Sequence, residues 1–193
     1  MDKFFGNLHA VLIAGLVLAI TLMLGLNGQY FADGITAGNA ILRWLHTFFG
    51  ILWIGLLYYF NFVQIPTMPK IPAELKPGVS KHIAPAALFW FRWAALITVL
   101  LGLGIAFHNK YAVPALTFSD PNFKLIGAGM WLGLVMAFNV WFVIWPNQKK
   151  ALGIVEADDA TKAAAAKTAM IFSRTNTLLS IPMLYAMVNA NNG

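Results

Sequence analysis

Five runs of roughly twenty apolar residues, with prolines and glycines gathered between them, leave this chain few folds to choose from. They cover residues 8–26, 40–63, 84–107, 123–145 and 169–188. In hydrocarbon each backbone N–H and C=O must be satisfied inside its own segment, so runs of this length become helices. The expected fold is all-α, an integral membrane bundle of about five transmembrane helices in a single membrane domain over residues 1–193. Breakers mark the connections: Asn27, Gly28 and Gly34, then Pro66, Pro69, Pro72 and Pro77, then Pro114 and Pro121, then Pro146. The fifth helix is expected to start before its apolar run, in the Ala-rich segment that Asp158 and Asp159 can cap. Lys3 gives the first run the look of a secretion signal. Its apolar stretch is longer than a signal core and no small-residue cleavage site follows, so it reads as a retained helix.

Composition closes off the soluble alternatives. Hydrophobic residues make up 60% of the chain and charged residues 10%, against about a quarter charged in a globular domain. That is too little charge to coat a water-facing surface, which excludes an ordinary soluble enzyme and a disordered chain. The net charge of +6 comes from basic residues scattered among loops, with no basic run, so no nucleic-acid partner is expected. It reads instead as membrane topology and contact with membrane lipids. The absence of cysteine excludes disulfides, thiolate metal sites, iron–sulfur clusters and a covalently attached CxxCH haem.

Positive charge sets the expected orientation. Lys3, Lys70, Lys76, Lys81, Lys149, Lys150, Lys162 and Lys167 fall on one side of the expected spans, and Arg43, Lys110 and Lys124 on the other. The richer side is cytoplasmic by the positive-inside rule, so the N-terminus is expected inside and the C-terminus outside.

Ionisable groups within the spans are costly, and each is a functional candidate. Arg92 lies about 13 Å into the third helix, and Arg174 about 10 Å beyond Lys167, at the usual helical rise. All seven acidic residues lie outside the apolar runs, so neither arginine has an intramembrane carboxylate. Snorkelling, bonds to backbone carbonyls or to polar side chains such as Asn139 and Asn176, or a non-protein anion remain as partners. Haem propionates, a quinone-like head group or an anionic substrate would qualify as the anion. The expectation is that both arginines face the interior and share one anionic or strongly polar partner.

Of the four histidines, His9, His82 and His108 sit at helix ends, where wetted polar residues are common. His46 is flanked by apolar residues inside a span. Gly50 lies one turn from it and Gly104 one turn from His108, which leaves room for a flat macrocycle. Neutral imidazole ligates haem iron and also suits copper. His46 is therefore the candidate axial ligand and metal ligand, with His108 the poorer candidate for the other side. Gly129 and Gly133 form a GxxxG, more often a packing device than a pocket. Trp90, Phe91, Trp93, Trp141, Phe142 and Trp145 read as interface belt and core. With no carboxylate in the spans, and no histidine at evident spacing from Ser173 or Ser180, a hydrolase, kinase or proton pump does not fit.

Several segments together resemble a known family. Arg43-Trp44-Leu45-His46 followed by Gly50 to Gly55 and Tyr58-Tyr59-Phe60 resembles the opening of the urate oxidase N-terminal domain, the membrane domain of PuuD-type urate hydroxylases. Phe89-Trp90-Phe91-Arg92-Trp93, the segment Asn139 to Gln148 with its Pro-Asn-Gln ending, and Ser173 to Pro182 resemble its later motifs. The His46 helix is more loosely similar to small membrane proteins of the HemJ and CopD type, in which a histidine so placed goes with haem b or metal. The resemblance implies a short form without the C-terminal cytochrome c domain, located in the bacterial inner membrane. It departs from the pattern at Thr175, where those enzymes carry a histidine. What it implies is a membrane redox role: a b-type haem electron-transfer protein, or a redox subunit related to urate hydroxylase. Haem b is the expected cofactor, copper the alternative, and Arg92 and Arg174 the groups that would face its acid side chains. The electron partner is then expected in trans, as a separate redox protein or a larger membrane complex. The reading from another class is a cofactor-free accessory or scaffolding subunit of such a complex.

Overall fold

The computed structural model describes residues 2–190, and every regular element among them is helical. Two compact units are present, Met1–Ile41 and Leu42–Gly193.

The first unit holds α1 (Leu8–Asn27). Asn7 caps it, its side-chain oxygen accepting the N–H groups of His9 and Ala10 at 3.1 and 3.3 Å. Such a cap satisfies donors that the helix start leaves open. The helix is apolar around its whole circumference, with Leu12, Ile13, Leu16, Leu18 and Leu22 exposed, the pattern of a segment solvated by hydrocarbon. A short 3-10 turn, Gly28–Ala32, leads to Asp33, whose carboxylate accepts from Ile35 and Thr36 at the start of α2 (Gly34–Tyr58).

In the second unit α2 runs on through a wide π turn, Tyr59–Gln64, to Ile65–Thr67 and a final 3-10 turn ending at Lys70. A second π turn, Val79–Ile83, opens α3 (Ala84–His108). A short α4 (Ala112–Leu116) precedes α5 (Lys124–Phe138), which passes through a third π turn, Asn139–Ile144, into Trp145–Ala151. The last helix is α6 (Asp159–Asn189), capped by Asp158 as the sequence led us to expect.

The three π turns share one cause. Each is followed at the second residue by a proline: Pro66, Pro85 and Pro146. Proline offers no N–H, and its ring crowds the carbonyl four residues back. The residue before each proline reaches one residue further than in an α-helix. Ile65 N–H bonds Phe60 C=O, Ala84 bonds Val79 and Trp145 bonds Val140. The helix widens by one residue instead of breaking.

Among the described residues, four helical segments are long and apolar enough to cross a membrane: Leu8–Leu26, Gly34–Lys70, Lys76–His108 and Pro121–Ala151. The protein is thus a multi-pass membrane protein. α6 falls outside this set because Ser173, Arg174, Asn176, Thr177 and Ser180 dilute its apolar run, although its 31 residues reach about 46 Å.

The core gathers Trp53, Leu57 and Phe60 from the α2 segment, Leu88, Phe91 and Ala95 from α3, Met136, Val140 and Ile144 from the α5 segment, and Met183 from α6. Gly129 allows α5 to approach α6 closely, since a β-carbon there would sit 3.0 Å from that of Ala186. Its GxxxG partner Gly133 faces open space. Trp141 Nε1 donates to the Arg92 carbonyl at 3.1 Å, tying the third π turn to α3.

Candidate functional site

Polar groups inside the second unit fall into three places. The first is His46. It is half-buried on α2, and its Nδ1 lies 2.9 Å from the Thr98 carbonyl of α3. A carbonyl only accepts, so Nδ1 carries the proton, and in the neutral form of the ring the lone pair falls on Nε2. A hydrogen bond from the far ring nitrogen is how proteins orient a ligating histidine. Gly102 makes the berth for this ring: a β-carbon there would lie 2.9 Å from His46 Cε1 and 3.2 Å from Nδ1. The glycines expected to flank the histidines play lesser parts. A β-carbon on Gly50 would meet Thr98 Cγ2 at 3.8 Å, and one on Gly104 would meet Leu42 at 3.7 Å, both ordinary contacts. Haem b or a copper ion needs a neutral imidazole with one bare nitrogen, and His46 fits that requirement as a single ligand. Among the described residues no three His, Asp or Glu cluster as a metal-binding group.

His108 closes α3, about 9 Å along the axis beyond Gly102. Past it, Tyr111 stacks on Phe123 with ring centroids 5.5 Å apart. Burial raises the Tyr111 hydroxyl above its ordinary value, and the nearby Arg43 partly opposes that. His9 and His82 are exposed.

The second place is Arg92. Its guanidinium carbon lies 3.9 Å from the centroid of the Trp145 ring and 5.4 Å from that of Phe89, and Nη1 is 3.5 Å from the Leu88 carbonyl. An aromatic face and a backbone carbonyl thus take the place of the missing carboxylate. Arg174 lies on the exposed side of α6. The two arginines therefore do not share one interior environment in this chain, contrary to the expectation, because α6 turns Ser173 and Asn176 inward and Arg174 outward.

The third place is a seam along α6. Ser173, Asn176 and Ser180 recur at three and four residues, one helical face, and all three are buried. Asn61 of the first π turn donates to Ser173 Oγ at 2.8 Å. Asn139, the first residue of the third π turn, donates to Asn176 Oδ1 at 2.9 Å, and Asn176 donates to the Met136 carbonyl at 2.9 Å. Ser180 Oγ donates to the Thr177 carbonyl, so in the 3.0 Å pair with Tyr58 the phenol is the donor. Asn139 and Asn176 pair with each other rather than with an arginine. Three buried polar atoms on the inner face of the α2 segment have no partner: Trp53 Nε1, Asn61 Oδ1 and Gln64 Oε1.

Sequence reasoning missed Gly102, Asn61 and Gln64. An amide inside an apolar span was the available signal for Asn61. Nothing local marks Gly102, because its role depends on which residue of α2 lies opposite.

Helical segments fit to span a bilayer, two of them tied to α6 through a buried seam of amides and hydroxyls, define a polytopic helical membrane protein. Residues 117–192, less than half of the chain, match the family model described as urate oxidase N-terminal. The match takes in the Pro-Asn-Gln segment and the whole polar stripe of α6, two of the motifs that carried the resemblance. No curated protein and no solved structure matches the chain.

Proposed function

We propose that the chain is a b-type haem electron-transfer protein of the bacterial inner membrane, with His46 as an axial ligand through Nε2. The observation that carries this reading is the bond from His46 Nδ1 to the Thr98 carbonyl, in a berth that Gly102 keeps open. It presets the ring in the tautomer a metal accepts, within an apolar helix. Bound haem would supply one-electron chemistry, and His46 and Gly102 would fix its iron ligand. His108 is the candidate for the opposite face. Arg92 is already engaged by Trp145 and Leu88, which leaves it a supporting role at most.

The same reading takes α6 as a fifth span, giving a cytoplasmic N-terminus and an external C-terminus. Its polar side chains cost little in hydrocarbon because Ser173, Asn176 and Ser180 are bonded to α2 and α5 segments. A reporter fused after Gly193 should then respond as external, and a cytoplasmic response would remove the fifth span. The electron partner is a separate redox protein or a larger membrane complex holding this chain.

The deciding experiment is a reduced-minus-oxidised absorption spectrum of protein purified from haem-replete cells. An α-band in the parent protein, lost in a His46→Ala variant that still inserts, is the expected result. A colourless parent protein would refute haem binding, and elemental analysis for copper would follow.

A further inference from the structure

Where the first and second π turns face each other, the widened backbones leave a cleft of about 150 Å³. Tyr59, Val63 and Gln64 line it from one side, Val79 and Ile83 from the other, with Thr67 between. Its walls are mainly apolar. Gln64 brings a buried side-chain oxygen that no donor of the protein reaches. The connection that frames the cleft carries Lys70, Lys76 and Lys81 against one acid, Glu74, and none of the three ammonium groups is in an ion pair among the described residues. The cleft lies about 27 Å along α2 from His46, counting the rise over residues 46–64, so it is not part of the histidine site.

An apolar slot beside a connection that carries three lysines and one glutamate matches an amphiphile with an anionic head. We propose that this cleft binds an anionic phospholipid with a hydroxylated head group, of the phosphatidylglycerol kind. Its phosphate sits among Lys70, Lys76 and Lys81, a chain segment fills the slot, and a head-group hydroxyl donates to Gln64. The three positive charges lie on the side that the charge bias makes cytoplasmic, where anionic lipid attracts basic segments. The inference does not depend on haem.

The test uses full-length protein, delipidated in a neutral detergent. Native mass spectrometry and thermal unfolding are read after adding phosphatidylglycerol, phosphatidylcholine or inorganic phosphate. Each net positive charge near an anionic surface favours the anionic lipid roughly fivefold, so three lysines offset by Glu74 should give a preference of roughly twentyfold. Phosphatidylglycerol should bind and raise the unfolding temperature, while phosphatidylcholine and phosphate should not. The variant Lys70→Gln/Lys76→Gln/Lys81→Gln should lose the preference, and Lys149→Gln/Lys150→Gln should keep it. Val79→Phe fills the slot without touching charge and should also lose it, which keeps the test decisive if the triple variant misfolds. Gln64→Leu should weaken lipid binding. Equal stabilisation by both lipids, a shift reproduced by phosphate, or a preference that survives Val79→Phe would each overturn the proposal.

Discussion

Replacing Asn176 by leucine tests whether the seam on α6 holds the bundle together. The side chain is fully buried and makes two bonds, accepting from Asn139 Nδ2 and donating to the Met136 carbonyl, each at 2.9 Å. Hydrogen bonds between membrane helices are worth about 0.6 kcal/mol on average and up to about 1.7. Two such bonds put the loss at about 1–3 kcal/mol, with the upper end favoured because Asn139 is left with an unaccepted amide proton. Leucine matches asparagine in branching but is bulkier, so overpacking at this fully buried position adds to the loss. The double variant Asn139→Leu/Asn176→Leu removes both partners and should cost less than the sum of the single variants, by roughly 0.5–2 kcal/mol of coupling. Unfolding in mild detergent can be followed through the fluorescence of the seven tryptophans. A single variant as stable as the parent, or a double variant that costs the full sum, would refute the view that this pair binds α5 to α6.

Other perturbations probe the remaining parts. Gly102→Ala places a methyl 2.9 Å from His46 Cε1, so the ring must swing away from Thr98; a cost of about 1–3 kcal/mol is expected, together with a changed tautomer signature in nitrogen NMR of His46. An unchanged signature would show that the berth is looser than described. Arg92→Leu should cost about 1 kcal/mol through loss of the stack on Trp145 and should alter its fluorescence, whereas Arg92→Lys should restore part of both; identical emission from parent and leucine variant would count against the stack. The Asp158 carboxyl is held below its ordinary value, first by the Thr161 N–H and then by the Thr161 hydroxyl. A carboxyl depressed in the folded state stabilises above its unfolded value and loses that stabilisation as the pH falls through the folded value. The first turn of α6 should therefore fray on acidification below the usual carboxylate range, visible as faster amide exchange at Thr161, and Asp158→Asn should remove that pH dependence.

The apolar runs made the helices legible, and the first run, 8–26, differs from α1 by one residue at its end. The Asp158 cap was equally readable, because an aspartate before an Ala-rich segment acts locally. The proline-rich connections were not. Pro66 and Pro146 mark helix ends in a linear reading, yet α2 and α5 continue past both, because a bond to the fifth residue back absorbs the ring. The sites divide the same way. His46 stood out as a titratable group among apolar neighbours, but its partners are a main-chain carbonyl and an absent side chain, and neither leaves a mark in sequence. Arg92 rests on Trp145, a residue that the sequence alone marks only as interface belt and core. Asn139 and Asn176 were noticed as polar groups available to an arginine. Their pairing follows only once α5 packs on α6 and brings Asn139 opposite Asn176.

The π turns also act as phase shifters. A residue inserted into an α-helix advances everything after it by about 100° around the axis. In the α2 segment, His46, Gly50, Trp53 and Leu57 keep one phase, and inside the wide turn Phe60, Asn61 and Gln64 face the bundle. Removing one residue from Tyr59–Gln64 would keep the segment helical and apolar while swinging Asn61 away from Ser173 and Gln64 away from the cleft. The number of residues between Leu57 and Pro66 is thus as much a part of this protein's specification as the identity of any one of them.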